Sequence, residues 1–310
     1  MTALVRDWLH TSLRSITSTP SMTRPVSRRK LLGAAWGGAC ASLAAPFPAL
    51  ASPASSRPPP RAASPDIAVD PVIVASGLAQ RWSQAMRRDL GWAARWSEHD
   101  TSGVLAQLES GRASVGVYLS HPLADKLIDQ GLIHDRHRLA RTGVLLVGPM
   151  DDLAGIRGEV DPARALRQVL AAHAAGAATW AAPPPGSALF ALADDVSAGA
   201  LSRTLTTRPA STRPNAPAYR LVTQAEWATG ATKAAAAMGA GGTEGGASKV
   251  WLADSRTMQL HCEVARSFRG QHDGEKLLVT WLQRPLARAA IRGTPGWQGV
   301  DPALAAKDRA

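Results

Sequence analysis

Hydroxyl-bearing residues stand beside glycine at three places in the chain: Ser76-Gly77, Thr101-Ser102-Gly103 and Gly186-Ser187. Each sits where an apolar, strand-like run gives way to a helical pattern. A helix start presents unpaired backbone N–H groups and the positive end of the helix dipole, and a Ser or Thr hydroxyl adds one more donor. Three such turns around one cleft can hold a small anion without any full positive charge. Ordinary N-capping accounts equally well for any one of them alone. Arg141 is the candidate for a full charge at such a site, and it also reads as a solvated surface arginine.

Other chemistry finds little support. His134 and His137 lie three apart with His121 nearby, but a zinc site needs three or four convergent ligands, and polar surface histidines are the plainer reading. In His261-Cys262-Glu263, strand alternation sends His261 and Glu263 one way and Cys262 the other. Cys262 then reads as a small buried residue and not as a nucleophile. Ser187 lacks the Gly-x-Ser-x-Gly elbow of serine hydrolases. No P-loop or dinucleotide fingerprint occurs. No catalytic residue, metal or cofactor is expected, and an enzyme is not expected.

The elements that must position these residues alternate. Pro71–Ala75 is a short β-branched run and reads as a buried strand. Leu78, Trp82 and Met86 then mark one face of a helix that stops at Gly91. Val104, Leu105 and Leu108 mark a second helix ending near Gly111. Val115–Leu119 is a buried strand, Pro122 to Gln130 a helix, and Val144–Val147 another strand. Asp161-Pro162 opens a helix with proline at its first position. Thr179–Ala182 reads as a strand and Ser187 precedes a further helix. Near the end, Leu277, Leu278, Trp281 and Leu282 form an apolar stripe that Pro285 bends or restarts. The rhythm predicts an α/β protein with mainly parallel sheets. Residues 229–248, rich in Gly and Ala, read as a surface insertion.

The chain has 310 residues, of which 35 are Lys or Arg and 24 Asp or Glu. The excess of positive charge is unevenly placed. Arg6, Arg14, Arg24, Arg28, Arg29 and Lys30 face only Asp7 in residues 1–51. No basic stripe with interleaved aromatics occurs elsewhere, which argues against nucleic-acid binding. Ser27-Arg28-Arg29-Lys30-Leu31-Leu32, the weakly apolar run to Ala45, and Ala49-Leu50-Ala51 come in the order of a twin-arginine export signal, cleaved after Ala51. Gly37 stands where a lipoprotein signal wants an apolar residue before its cysteine, so anchoring through Cys40 is not expected. Residues 52–65, with Pro58-Pro59-Pro60, read as an extended tether.

Several segments together resemble a known family. Thr101 to Leu105, followed by Glu109-Ser110-Gly111-Arg112-Ala113, is similar to a Thr-Gly-Gln-Ala-Leu helix start and the Gly-Asp-Ala-Asp approach to the next strand. Ser120-His121-Pro122 resembles the turn after that strand. Leu145 to Gly158, including Gly148-Pro149-Met150-Asp151-Asp152-Leu153-Ala154-Gly155-Ile156, is the longest match. Tyr219 to Thr223 and the Trp281-Leu282 to Pro285 helix complete the series. These are the motifs of tungstate/molybdate-type periplasmic solute-binding proteins, of the type II superfamily, and the resemblance runs from about 70 to 292. It implies a two-lobed α/β fold with parallel or mixed sheets flanked by helices and a hinge between the lobes. Residues 66–146 plus 262–310 would form one lobe and 147–261 the other.

The same resemblance implies a periplasmic monomer that delivers a small oxyanion to the membrane permease of an ABC transporter; the N-terminal signal adds passage through the twin-arginine export machinery. The expected ligand-binding residues are Ser76, Gly77, Thr101, Ser102, Ser187 and Arg141. The departures are large. The family's threonine- and serine-rich first loop is reduced to Ser76-Gly77. Its Arg- and Asp-bearing second loop is replaced by Ala182-Pro183-Pro184-Pro185-Gly186-Ser187, whose prolines lack backbone donors. Tungstate is therefore expected to bind weakly or not at all. The alternative is a sensor or interaction module on the same fold that has lost its transport ligand.

Overall fold

The computed structural model describes residues 66–207, 218–230, 248–253, 256–270 and 273–300. The export signal, the tether, Cys40 and nearly all of the 229–248 insertion lie outside the described residues. Nine strands are described: β1 (Asp66–Val69), β2 (Arg95–Glu98), β3 (Val115–Leu119), β4 (Ile133–Gly148), β5 (Thr179–Trp180), β6 (Ala218–Thr223), β7 (Lys249–Leu252), β8 (Gln259–Ser267) and β9 (Gln298–Gly299). The described helices are α1 (Pro71–Ala75), α2 (Leu78–Asp89), α3 (Thr101–Ser110), α4 (Pro122–Asp129), α5 (Pro162–Ala174), α6 (Ala188–Val196), α7 (Ala200–Thr207), α8 (Gln224–Thr229), α9 (Asp273–Leu282) and α10 (Pro285–Arg292).

The Val115–Leu119 strand and the helices opened by Asp161-Pro162 and Ser187 form where the sequence predicts them. Pro71–Ala75 does not. It is helix α1, and the strand is the preceding Asp66–Val69. The cause is local: Asp70 caps the helix by accepting from Val72 N, and Pro71 at the first turn gives up no needed N–H. A five-residue apolar run carries no period that distinguishes a buried strand from a buried helical turn. Thr101 likewise does not precede its helix but begins it, capped by Asp100 through Gly103 N. The strand predicted at Val144–Val147 lies near the end of the sixteen-residue β4.

The strands follow one path of neighbours, β2-β1-β3-β8-β4-β6-β5, with β7 and β9 also on β4. β1 runs parallel to β2 and β3, and β5 parallel to β6. The pairings of β8 with β3 and β4, and of β4 with β6, β7 and β9, are antiparallel. The sheet is thus mixed and not mainly parallel, because the long β4 and β8 cross it as an antiparallel pair. From Ile133 to Gly143 β4 pairs with β8, and from Val144 to Val147 it pairs with β6.

Side chains far apart in the sequence close the core. Trp82 of α2 is fully buried and donates its indole N–H to Ala287 O of α10. Trp281 of α9 is 2% exposed and donates to Asp89 Oδ2 at the end of α2. Cys262 and Glu263 are both fully buried although they point to opposite faces of β8, since helices cover both faces. Glu263 is ion-paired in place: Arg136 of β4 reaches it with Nε at 2.6 Å and Nη2 at 2.9 Å, and Arg138 Nε lies at 3.4 Å. Among the described residues no helix is long and apolar enough to cross a membrane.

Candidate functional site

Asp70 stands at the carboxyl end of β1, and its N–H donates to Val117 O of the neighbouring parallel strand. In open α/β sheets this edge is where ligands bind. Asp70 is 3% exposed, and its carboxyl group accepts two bonds, from Val72 N at 2.9 Å and from Thr101 Oγ1 at 2.5 Å. Burial pushes its pKa up to about 6, against the two hydrogen bonds, which lower it; Glu226 and Asp100 raise it further. At neutral pH it is ionised, at a cost.

Thr101 is fully buried and faces two ways. Its hydroxyl donates to Asp70 and accepts from Ala188 N, the first residue of α6, at 3.3 Å. Beside it Ser102 N donates to Gly186 O at 2.9 Å. Gly186 fits only because it lacks a side chain, since a Cβ there would lie 2.1 Å from Asp100 Oδ2 and 2.3 Å from Ser102 Oγ. The starts of α3 and α6, which follow β2 and β5, are therefore in direct contact. Of the predicted residues, Thr101, Ser102 and Ser187 come together here.

Their hydroxyls are already engaged within the protein. Ser102 Oγ lies 3.4 Å from Asp100 Oδ1. Ser187 Oγ donates to Pro184 O at 2.7 Å and accepts from Phe190 N, the capping role. Ser76-Gly77 does precede a helix, with Gly77 the N-cap of α2, but Ser76 is also the C-cap of α1, 3% exposed and donating to Ile73 O. It also accepts from Trp297 Nε1 at 2.9 Å. Gly77 supplies the left-handed residue, φ +79°, that joins α1 to α2. Its N–H is spent on Val74 O.

Arg141 is exposed on β4, and its Nε donates to Gln298 Oε1 at 3.1 Å. It lines an open pocket of about 260 Å³ with Gly143, Gln224, Arg256, Gln259 and Gln298. Two arginines and three glutamines make this a polar concavity. It lies where β4 passes from its β8 pairing to its β6 pairing. The adjacent Thr142 is buried; its hydroxyl donates to Gly296 O and accepts from Ala225 N. That chain of contacts, through Trp297, links the pocket to Ser76.

Asp70, Arg256, Gln224, Gln259 and Gln298 are absent from the sequence-derived site. For Asp70 a signal exists, because Asp-Pro is the same helix-opening pair that identifies Asp161-Pro162. The glutamines carry no local signal. The histidines play local parts: His121 Nδ1 accepts from Leu123 N to cap α4, and burial lowers its pKa. Among the described residues no group of three or more His, Cys, Asp or Glu is placed to hold a metal ion.

No family model matches the chain, and no curated protein matches it by sequence. Its fold does have solved counterparts. A tungstate-binding protein from Desulfovibrio alaskensis superposes with a TM-score of 0.55 at 17% identity, over 77% of this chain and 99% of the other. The tungstate ABC transporter structure from Geobacter sulfurreducens gives 0.56 at 16% identity, over 74% and 97%. A periplasmic protein suspected of metal binding gives 0.57 at 14%, over 77% and 97%. At such identities the likeness speaks for the fold alone. The chain has the fold of the type II periplasmic solute-binding proteins.

Proposed function

We propose that the protein is an exported solute-binding protein that hands a small anion to the membrane permease of an ABC-type uptake system. The observation that carries this reading is the Arg141 pocket, with Arg256 and three glutamines around a concavity on the strand that changes partners. Guanidinium groups are suited to carboxylate and oxyanion recognition through charge-assisted bonds. The fold supports the transport role. The change of pairing at Gly143–Val144 supports a hinge between a lobe of 66–146 plus 262–310 and a lobe of 147–261, with closure as the binding motion. Export through the twin-arginine machinery and a monomeric state complete the reading.

Tungstate and molybdate are poor ligands in this reading, because the Thr101 seat holds a carboxylate and the second loop lacks its charges. Each charged hydrogen bond lost is worth about 1.5–3 kcal/mol, so two weaken binding on the order of a hundredfold or more. The test is a thermal-shift and calorimetry panel of tungstate, molybdate, sulfate, phosphate, carboxylates, amino acids and sugars. A ligand at 100 times its Kd stabilises the fold by about 2.7 kcal/mol, and the double change Arg141→Ala, Arg256→Ala abolishes that gain. Nanomolar tungstate binding refutes the erosion of the hydroxyl seat. A second reading, a sensor or interaction module without a transport ligand, is favoured by one observation: the Thr101 hydroxyl is already bonded to Asp70 and to the start of α6. It predicts no response to any member of the panel.

A further inference from the structure

The Arg141 pocket is organised around a position with no side chain. Arg141 and Gly143 are two apart on β4 and so belong to the same face. Gln298 of β9 pairs with Arg141, and Gln259 of β8 pairs with Gly143. Cross-strand partners share a face, so these side chains gather about Gly143. Gln224, the first residue of α8, lies over it. A Cβ on Gly143 would stand 2.8 Å from Gln224 Cδ, 2.9 Å from Oε1 and 3.1 Å from Nε2. The glycine therefore lets the Gln224 carboxamide lie against the strand.

Much of the hydrogen-bonding capacity here is unspent. Arg141 uses Nε on Gln298 Oε1 at 3.1 Å, which fixes the guanidinium and leaves its Nη groups for a ligand. Among the described residues, no hydrogen bond engages the carboxamide of Gln224 or of Gln259. A carboxamide both donates and accepts. Sulfate or tungstate only accepts, and leaves both carboxamide oxygens without a donor. An ammonium group donates, but none of the six lining residues is an acid that would balance its charge. A hydroxyl donates and accepts and carries no charge. We infer that the pocket takes a short hydroxycarboxylate, its carboxylate on Arg141 and its hydroxyl between Gln224 and Gln259. The volume of about 260 Å³ falls below the usual range for drug-sized ligands, which limits the ligand to a few carbons. This inference rests on the anion-binding reading of the pocket and names the class of anion.

The test is calorimetry on the full chain with lactate, propionate and alanine, which carry a hydroxyl, a hydrogen and an ammonium at the same carbon. Sulfate and phosphate are added as bare and protonated oxyanions. Lactate is expected to bind roughly tenfold tighter than propionate, the worth of a hydrogen-bonded hydroxyl, and tighter than the other three. Gln224→Leu with Gln259→Leu brings lactate down to the level of propionate. Arg141→Ala weakens both acids and keeps their ratio. Equal affinity for lactate and propionate, tighter binding of alanine, sulfate or phosphate, or a preference that survives the double leucine change overturns the inference and leaves the anion reading standing. Binding of no anion in the series overturns both. The wild-type comparison decides by itself should the double variant not fold.

Discussion

Asp70 carries the most informative chemistry at the level of single residues. Its pKa is raised from 3.8 to about 6, so the folded state binds its proton more tightly than the unfolded chain does. Its contribution to stability is fully present below about pH 4 and is lost as pH rises through 6. The deficit above pH 6 approaches about 3 kcal/mol, at 1.36 kcal/mol for each unit. Asp70→Asn, neutral and still a good cap, removes this dependence. Denaturant unfolding of both proteins from pH 4 to 8 checks it: the variant gains on the wild type as pH rises, and a difference flat across that range rejects the assignment. Glu263 is a second buried carboxyl group, and Arg136 is its ion-pair partner. Removing one partner leaves the other charge buried and unpaired. Arg136→Ala is expected to cost about 3–5 kcal/mol, and combining it with Glu263→Gln recovers part of that loss in the same unfolding measurement.

Among the elements, the α3–α6 contact and the α2–α10 contact differ in kind. The first is polar and tight. Gly186→Ala brings a methyl group against Asp100 Oδ2 and Ser102 Oγ, and Asp100 is held by its bond to Gly103 N. The 184–188 segment has to lift, at a cost of about 1–3 kcal/mol. Faster exchange at Ser102, with α2 unchanged, is the expected sign; unaltered exchange there means the segment does not depend on this fit. The second contact is apolar with one hydrogen bond, Trp82 Nε1 to Ala287 O. Trp82→Ala leaves a large cavity and an unpaired carbonyl, for about 3–5 kcal/mol, read as a fall in Tm.

For the whole molecule, the uneven charge has a direct consequence. Arg28 and Arg29 stand ahead of an apolar run too short and too rich in small residues to remain in a membrane. The proposed export as a folded protein depends on that pair. Arg28→Lys with Arg29→Lys is expected to leave the protein uncleaved in the cytoplasm, whereas the wild type appears in the periplasmic fraction with Ser52 at its N-terminus by mass spectrometry. A wild-type N-terminus at Met1 in a cytoplasmic pool rejects the signal. After cleavage at Ala51, Cys262 remains as the only cysteine, fully buried.

The sequence by itself determined the elements whose cause is local. Asp161-Pro162, Ser187 and Val115–Leu119 act through caps and through a run of apolar residues, and no distant partner is needed to read them. The order of short family-like motifs was also legible, and with it the α/β architecture. Three matters belonged to the tertiary structure. Pro71–Ala75 is helix because Asp70 caps it while β1 supplies the strand, an outcome a five-residue pattern cannot encode. The polar half of β4, His134 to Arg138, is strand because β8 pairs with it and buried Glu263 engages Arg136. The site depends on contacts between residues far apart in sequence: Thr101 with Asp70 and Ala188, and Ser76 with Trp297. Whether a hydroxyl at a helix start faces a ligand or another part of the chain is settled by which element is folded against it, and that information lies in long-range packing, not in the turn itself.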